Sequence, residues 1–425
     1  MEDENYLKKL KSKQLFFIFL CFLVYSIAQI GRYSYTANVN YIISYYSVSK
    51  ADAALPTTLF FFGYAIGQII NGIFCRKMSK KVFLTTGLVI SASCNLILFL
   101  NIPFELFKFV WLANGISQSF FWVLLMLSLG EKVDKKYSSQ IVILMSCAPA
   151  FGTLLTYGLS SLLSTFNVSN YIFLIGFIGS MIMAITWLIC CLNKNSVINL
   201  SSCENQNEET KEKNKKNAAP LGIIFYLIVV FSIVAALSYS VSGSLKSWAP
   251  AIFKEIYFLN DNISIMLSVI LPLVAMLNGV VCNFFYKKIK SITFIIFFFM
   301  LVALLLLFIL IGFINVSWVL SLFLIIGVFS FTGMATNALT VQAPIYLKTE
   351  KMSSGFLAGI FNGFCYLGNA LATFVMGLIV DNSSWINSFY FLAILCAIAL
   401  PICISFWILK ALVYGKKNYK IGENL

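Results

Sequence analysis

Residues 25–32, YSIAQIGR, and residues 239–246, YSVSGSLK, carry one pattern twice. In each, a Tyr-Ser pair is followed seven positions after the tyrosine by a cation, Arg32 in the first and Lys246 in the second. Each cation lies inside a long apolar run. A second match follows in the same order, with Asn71-Gly72-Ile73-Phe74-Cys75 recurring as Asn278-Gly279-Val280-Val281-Cys282. One short match in so biased a composition arises easily by chance. Two in order, on corresponding segments, point to a chain built as two copies of one unit.

Working outward from these stretches, apolar runs long enough to cross a bilayer, about 20 residues each, recur about twelve times. They cover residues 14–43, 55–75, 82–101, 106–130, 139–163 and 170–192, then 220–250, 262–286, 291–313, 316–343, 354–380 and 387–413. Between the two sets lies a polar break, residues 193–219, containing NQNEETKEKNKKN. Such a segment cannot bury enough apolar surface to fold alone and reads as a linker. The expected organisation is an all-α membrane protein, with a six-helix bundle over residues 1–192, a linker over 193–219 and a second six-helix bundle over 220–425. The first apolar run continues into structure and lacks the small-residue cleavage site of a signal peptide.

Composition demands the same solvent. Of 425 residues, 60% are hydrophobic and 11% charged, against roughly 25% charged in soluble domains. With 41 Phe and a mean hydropathy of +0.90, a water-soluble core could not hold the apolar side chains, and lipid must cover much of the surface. The 11 Cys fall almost entirely inside spans, so no disulfides are expected. The chain has no His, which excludes imidazole catalysis, imidazole metal ligation and a histidine proton relay. No metal-ligand spacing, nucleotide-binding motif or nucleophile–base constellation is visible, so neither a cofactor, a metal nor an enzymatic activity is expected.

The net charge of +14 could suggest nucleic acid, but its distribution says otherwise. Among the 30 Lys and Arg, only Lys50, Lys108 and Lys254 fall in or beside one set of alternate loops, and only Arg32 and Lys246 lie inside spans away from their cytoplasmic or outer ends. All the others lie in the termini with the end of the last span, the linker and the remaining loops. That bias orients helical membrane proteins with the basic loops inside. The expectation is a plasma-membrane protein with both termini and the linker in the cytoplasm, whose partners are the bilayer and a small anionic solute, monomeric, with no nucleic-acid role.

The 16 Asp and Glu all lie in loops, tails or span ends. Arg32 and Lys246 are therefore intramembrane cations without an intramembrane carboxylate. Either is costly in hydrocarbon, about 2.5–3.5 kcal/mol at mid-helix on insertion scales, and is expected to face a cavity and meet an anion. The alternative is that either snorkels to the interface, the more so for Lys246, which precedes Trp248 and Pro250. Seven residues are two helical turns, so Tyr25 shares a face with Arg32 and Tyr239 with Lys246. A phenol beside a cation suits an anion with a polar body. Other polar residues inside spans are Gln29, Asn38, Gln68, Gln118, Asn337, Asn362 and Asn369. For each of them, site lining and helix–helix hydrogen bonding remain open. With no intramembrane Asp, Glu or His for proton coupling, exchange of anions or facilitated passage is expected.

Several stretches then carry a family resemblance. They are Tyr25…Arg32, Gly67-Gln68-Ile69-Ile70-Asn71-Gly72 leading to Val82-Phe83-Leu84, Gln118 to Trp122, Ser247-Trp248-Ala249-Pro250 with Lys254-Glu255, and Ser354-Gly355 through Tyr366-Leu367-Gly368 to Val380-Asp381. The chain resembles, distantly but over nearly its whole length, the organophosphate:inorganic phosphate antiporters of the major facilitator superfamily. These include bacterial glycerol-3-phosphate and hexose-phosphate transporters, and some relatives are sensors. The resemblance implies a major facilitator fold and transport by alternating access. It implies that two arginines bind substrate phosphate: one falls on Arg32, the other on Ser242, with Lys246 one turn beyond. Site tyrosines of the family fall on Tyr25, Tyr64, Tyr239 and Tyr366, a site lysine on Gln68 and a site histidine on Pro149. These departures leave open a neutral or lipophilic solute, or a sensor of the same fold. In the loop after the second span, Arg76 stands where the family has an aspartate, and its counterpart region holds Lys287, so the usual ion pairs of that face cannot form there.

Overall fold

The computed structural model describes residues 2–74, 79–133, 138–192, 221–289, 291–347 and 354–414. The linker, Arg76 and the C-terminal tail lie outside the described residues. Within them the chain is helical throughout. In the first half run α1 (Glu2–Ala37), α2 (Val39–Tyr46), α3 (Lys50–Phe74), α4 (Lys80–Phe99), α5 (Phe104–Gln118), α6 (Phe121–Lys132), α7 (Ser138–Thr165) and α8 (Tyr171–Leu192). In the second run α9 (Leu221–Tyr257), α10 (Asp261–Ser268), α11 (Ile270–Ile289), α12 (Ile292–Phe313), α13 (Trp318–Asn337), α14 (Ala343–Leu347), α15 (Ser354–Asn382) and α16 (Trp385–Tyr414).

Among the described residues, 11 stretches of helix are long and apolar enough to cross a membrane. The 28-residue α7 stands in the remaining position, between α6 and α8. Large apolar side chains such as Phe16, Phe19, Leu162, Val280 and Phe323 stand exposed on the outside, as lipid-facing residues must when hydrocarbon is the solvent. Residues of α9 to α16 form most of one cluster around Trp248, Phe253, Phe299 and Phe361, joined by Val39, Ala53 and Ala54 of the first half, and α1, α4, α6, α7 and α8 form another around Phe17, Phe121 and Trp187.

Four spans expected as single helices are interrupted, each for a local reason. The first breaks at Asn38, whose amide donates to the carbonyls of Ser34 (3.2 Å) and Ser169 (3.3 Å); α2 then ends on Ser47 at φ 53°. The fourth breaks between α5 and α6 at Ser119 and Phe120. There the Ser119 carbonyl accepts from Gln68 Nε2 and Asn71 Nδ2, both at 2.7 Å. The eighth breaks at Val269, because Pro272 has no N–H for the Ser268 carbonyl and its ring crowds it. The tenth loosens into a π turn over Ala338–Gln342 before α14.

The halves touch along α1, α3 and α7 on one side and α9, α11 and α15 on the other. Small residues allow it: a Cβ on Gly377 of α15 would lie 3.0 Å from the Lys50 carbonyl of α3, and one on Gly363 would run into Ile69 of α3. Within the halves, a Cβ on Gly152 would run into the Ser26 carbonyl, and one on Gly368 into the Ala236 carbonyl. Both glycines sit beside the tyrosine–cation segments of α1 and α9.

Candidate functional site

The two repeat segments meet at the interface between halves. Arg32 is only 4% exposed. Its guanidinium carbon lies over the rings of Tyr64 (4.2 Å), Tyr366 (5.0 Å), Tyr33 (5.4 Å), Phe60 (5.4 Å) and Phe61 (5.6 Å). Ring faces are weakly negative and partly compensate a desolvated cation, but they do not accept the directional bonds of its N–H groups. Arg32 Nε and Nη2 accordingly have no hydrogen-bond partner.

Lys246 is partly buried on α9. Its ammonium lies 3.7 Å from the centre of the Tyr33 ring and 3.5 Å from the Thr153 hydroxyl, both on the first half. Pro250 prepares this arrangement. Lacking an N–H, it leaves the Lys246 carbonyl without its i+4 donor, and the Tyr157 hydroxyl of α7 donates to that carbonyl at 3.1 Å. Neither cation meets a carboxylate among the described residues, where the ion pairs are Lys50–Glu255 and Lys254–Asp261.

Two cavities of about 210 Å³ each adjoin the cations. The first, between the halves, is lined by Tyr25, Gln29, Arg32, Tyr33, Pro149, Ala150, Tyr239, Lys246, Pro272, Ala275 and Tyr366. The second reaches into the second half and shares Tyr239, Lys246 and Ala275 with the first, adding Ser242, Asn278, Thr336 and Asn337 among others.

Of the residues singled out from sequence, the structure brings together Arg32, Lys246, Tyr25, Tyr64, Tyr239 and Tyr366. Tyr64 and Tyr239 pack their rings against Tyr366 at 4.4 and 5.2 Å. Gln68 and Gln118 lie apart from both cavities: Gln68 holds the Ser119 carbonyl, and Gln118 donates to Ser91 (2.8 Å) and Asn114 (3.2 Å). Pro149 and Ser242, the positions of the departures, line the first and the second cavity respectively. Sequence reading missed Tyr33 and Thr153. Tyr33 follows Arg32 directly, and one residue is about 100° around a helix, so periodicity places it on another flank; only packing shows that this flank meets Lys246.

The halves are also fastened at the face opposite the termini. The Asp381 carboxylate, from α15, accepts from the backbone N–H of Lys50 (3.0 Å) and Ala51 (2.6 Å) at the first turn of α3. Lys50 pairs with Glu255 at 3.3 Å, and Asn40 donates to the Pro250 carbonyl (3.2 Å) and to Asp261 (3.1 Å). That face is closed.

A family model for the Major Facilitator Superfamily matches residues 21–354. The chain belongs to the Major Facilitator Superfamily. As a superfamily member it is similar, 25% identical over 96 residues, to the membrane sensor protein UhpC of Escherichia coli (strain K12). It is 24% identical over 123 residues to a probable hexose phosphate transport protein of Chlamydia pneumoniae. These stretches cover 23% and 29% of this chain and only 22% and 27% of those proteins. The superfamily fold is shared far more widely. A bacterial homologue of the human lysosomal transporter Spinster, inward-facing and unoccupied, superposes with a TM-score of 0.73 at 12% identity, over 92% of this chain and 96% of that one. A D-xylose–proton symporter does so with 0.69 at 13%, over the same shares.

Proposed function

We infer that this superfamily member moves a small organic anion across the membrane by alternating access, as an exchanger, a phosphorylated metabolite being the class that fits best. Arg32 carries the inference: a buried guanidinium, two of its nitrogens unpaired, at a cavity between two halves, with no carboxylate to neutralise it. An unpaired charge is expensive to bury, and a bound anion would relieve that cost. Lys246 is the second contact, and Tyr25, Tyr64, Tyr239 and Tyr366 shape the site. The similarity to stretches of a hexose phosphate transport protein and of a related sensor agrees with an anion. So does a span region without acidic residues or histidine, which favours exchange over proton coupling. The chain is taken to lie in the plasma membrane with its basic loops and termini in the cytoplasm.

Counterflow in proteoliposomes tests this reading. Vesicles loaded with unlabelled phosphate or a phosphate ester should accumulate labelled external phosphate without an imposed proton gradient, and a protonophore should not stop it. Uptake that strictly needs an inward proton gradient would overturn exchange. Binding without flux would favour the second reading, a sensor of the same fold, for which the similarity to a membrane sensor protein speaks.

A further inference from the structure

The second cavity holds two amides with nothing to do. Asn278 on α11 is 7% exposed, and Asn337 lies at the end of α13. Both line the cavity, and among the described residues neither side chain makes a hydrogen bond. Each amide faces a glycine of the other helix. A Cβ on Gly333 would run into Asn278 Nδ2, and one on Gly279 would lie 3.3 Å from Asn337 Nδ2. The reciprocal glycines leave room for the two amides without supplying them a partner.

The internal repeat supplies the comparison. Asn278-Gly279 corresponds to Asn71-Gly72 of the first half. Asn71 does structural work, donating to the Ser119 carbonyl at the break between α5 and α6. The matching helix pair of the second half, α11 and α13, offers Asn278 no such carbonyl. An amide used as a fastener in one copy stands free at a cavity in the other. Buried amides are normally hydrogen-bonded; Asn278 is buried and Asn337 half-buried, and both open onto the cavity, where a ligand can meet them. A carboxamide offers two donors and an acceptor, a match for hydroxyl or amide groups. No carboxylate lines the cavity, and its one charge, Lys246, stands where it joins the first.

We propose that Asn278 and Asn337 form a neutral hydrogen-bonding subsite for the hydroxyl- or amide-bearing part of a substrate whose anionic group rests on Arg32 and Lys246. The anionic half of the statement rests on the function proposed above; the subsite stands on its own geometry. A substrate bridging the two cavities touches both halves, α1 through its charge and α11 and α13 through its hydroxyls.

Titration of the purified full-length protein with four probes tests it: inorganic phosphate, glycerol phosphate, n-propyl phosphate and sorbitol. The two esters carry the same charged group and differ in two hydroxyls. A site built to hydrogen-bond a hydroxyl rejects the analogue without it, so wild type should favour glycerol phosphate at least ~10-fold over propyl phosphate. Asn278→Leu and Asn337→Leu, nearly isosteric, should each bring that ratio to within ~3-fold while leaving phosphate affinity unchanged; Asn337→Ser serves if either fails to elute as a folded species. Equal affinity for the two esters in wild type, or an unchanged preference in folded variants, overturns the subsite and leaves the anion reading intact. Binding of sorbitol alone, lost in the asparagine variants, overturns the anion reading and keeps the subsite. Absence of binding by every probe overturns both.

Discussion

Lys246, on the second half, holds its ammonium 3.7 Å from the centre of the Tyr33 ring, on the first. Arg32 answers in the other direction, from the first half over Tyr366 of the second at 5.0 Å. Each half's cation thus rests on a tyrosine of its partner, and a relative movement of the halves parts both pairs. A desolvated cation–ring contact is worth up to about 2 kcal/mol. Tyr33→Leu should therefore lower the melting temperature of the unliganded protein, while Tyr33→Phe stays close to wild type. The leucine variant should also show a larger stabilisation by a bound anion, because Lys246 has lost its resting place. Thermal melts with and without phosphate check both; a Tyr33→Phe variant as impaired as Tyr33→Leu would make the hydroxyl, not the ring, the relevant group.

At Arg32 the charge and the planar fork are separable. Arg32→Ala should weaken anion binding by ~100-fold, the scale of a charged hydrogen bond of about 1.5–3 kcal/mol, without preventing insertion. Arg32→Lys keeps the charge but loses the two-pronged donor and should fall between the two. Binding affinities beside size-exclusion profiles decide it; wild-type affinity in Arg32→Ala would leave this arginine no role in anion recognition.

For Lys246 the sign of the charge matters more than its removal. Lys246→Ala should weaken binding less than Arg32→Ala, since Arg32 remains. Lys246→Glu should be worse than Lys246→Ala, because a carboxylate there can reach across the first cavity to the unpaired nitrogens of Arg32 and occupy the anion's place. Equal affinities for the two variants would show that position 246 does not share the cavity's charge.

On the closed face, Asp381 caps the first turn of α3 from the opposite half. Capping of this kind contributes about 1 kcal/mol, and the carboxylate also lies at the positive end of the helix dipole. Asp381→Ala combined with Glu255→Gln should therefore shift the population toward states open on that face by roughly 5-fold. A cysteine placed at Ala275, which lines both cavities, in a background without other accessible thiols, should react correspondingly faster with an impermeant reagent from that side. An unchanged rate would assign the closure to packing between α3 and α15.

Gln68 should behave as a fastener. Gln68→Leu leaves the Ser119 carbonyl with only Asn71 and should cost about 1–3 kcal/mol of stability, read as a lower melting temperature. Phosphate affinity in the folded fraction should change by less than ~3-fold. A selective loss of affinity with normal stability would return Gln68 to the site.

How far the sequence reached follows from what each observation depends on. Lipid as the solvent, the two halves and the order of the helices are written in composition, run length and repeat, because a bilayer imposes its thickness and its intolerance of charge on each segment separately. The pairing of Arg32 with Tyr25 and of Lys246 with Tyr239 was legible for the same reason, since seven residues along one helix share a face whatever surrounds it. Which polar side chains face a cavity was not legible. Gln68, Asn71 and Asn278 are alike in sequence context, yet the first two spend their donors on Ser119, and the third lines a cavity with no hydrogen-bond partner among the described residues.

By itself, then, the sequence determined that this chain is a membrane-spanning bundle of two related halves carrying two cations and no acid in its spans, since those properties belong to single segments in contact with lipid. Only the tertiary structure decided that Tyr33 lies under Lys246, that Asp381 caps α3 and that Asn278 and Asn337 line a cavity without a hydrogen-bond partner among the described residues. Each of these depends on the rotation and spacing of helices from different parts of the chain, set by close approaches such as Gly377 on Lys50 and Gly333 on Asn278, and no periodicity within one helix encodes them.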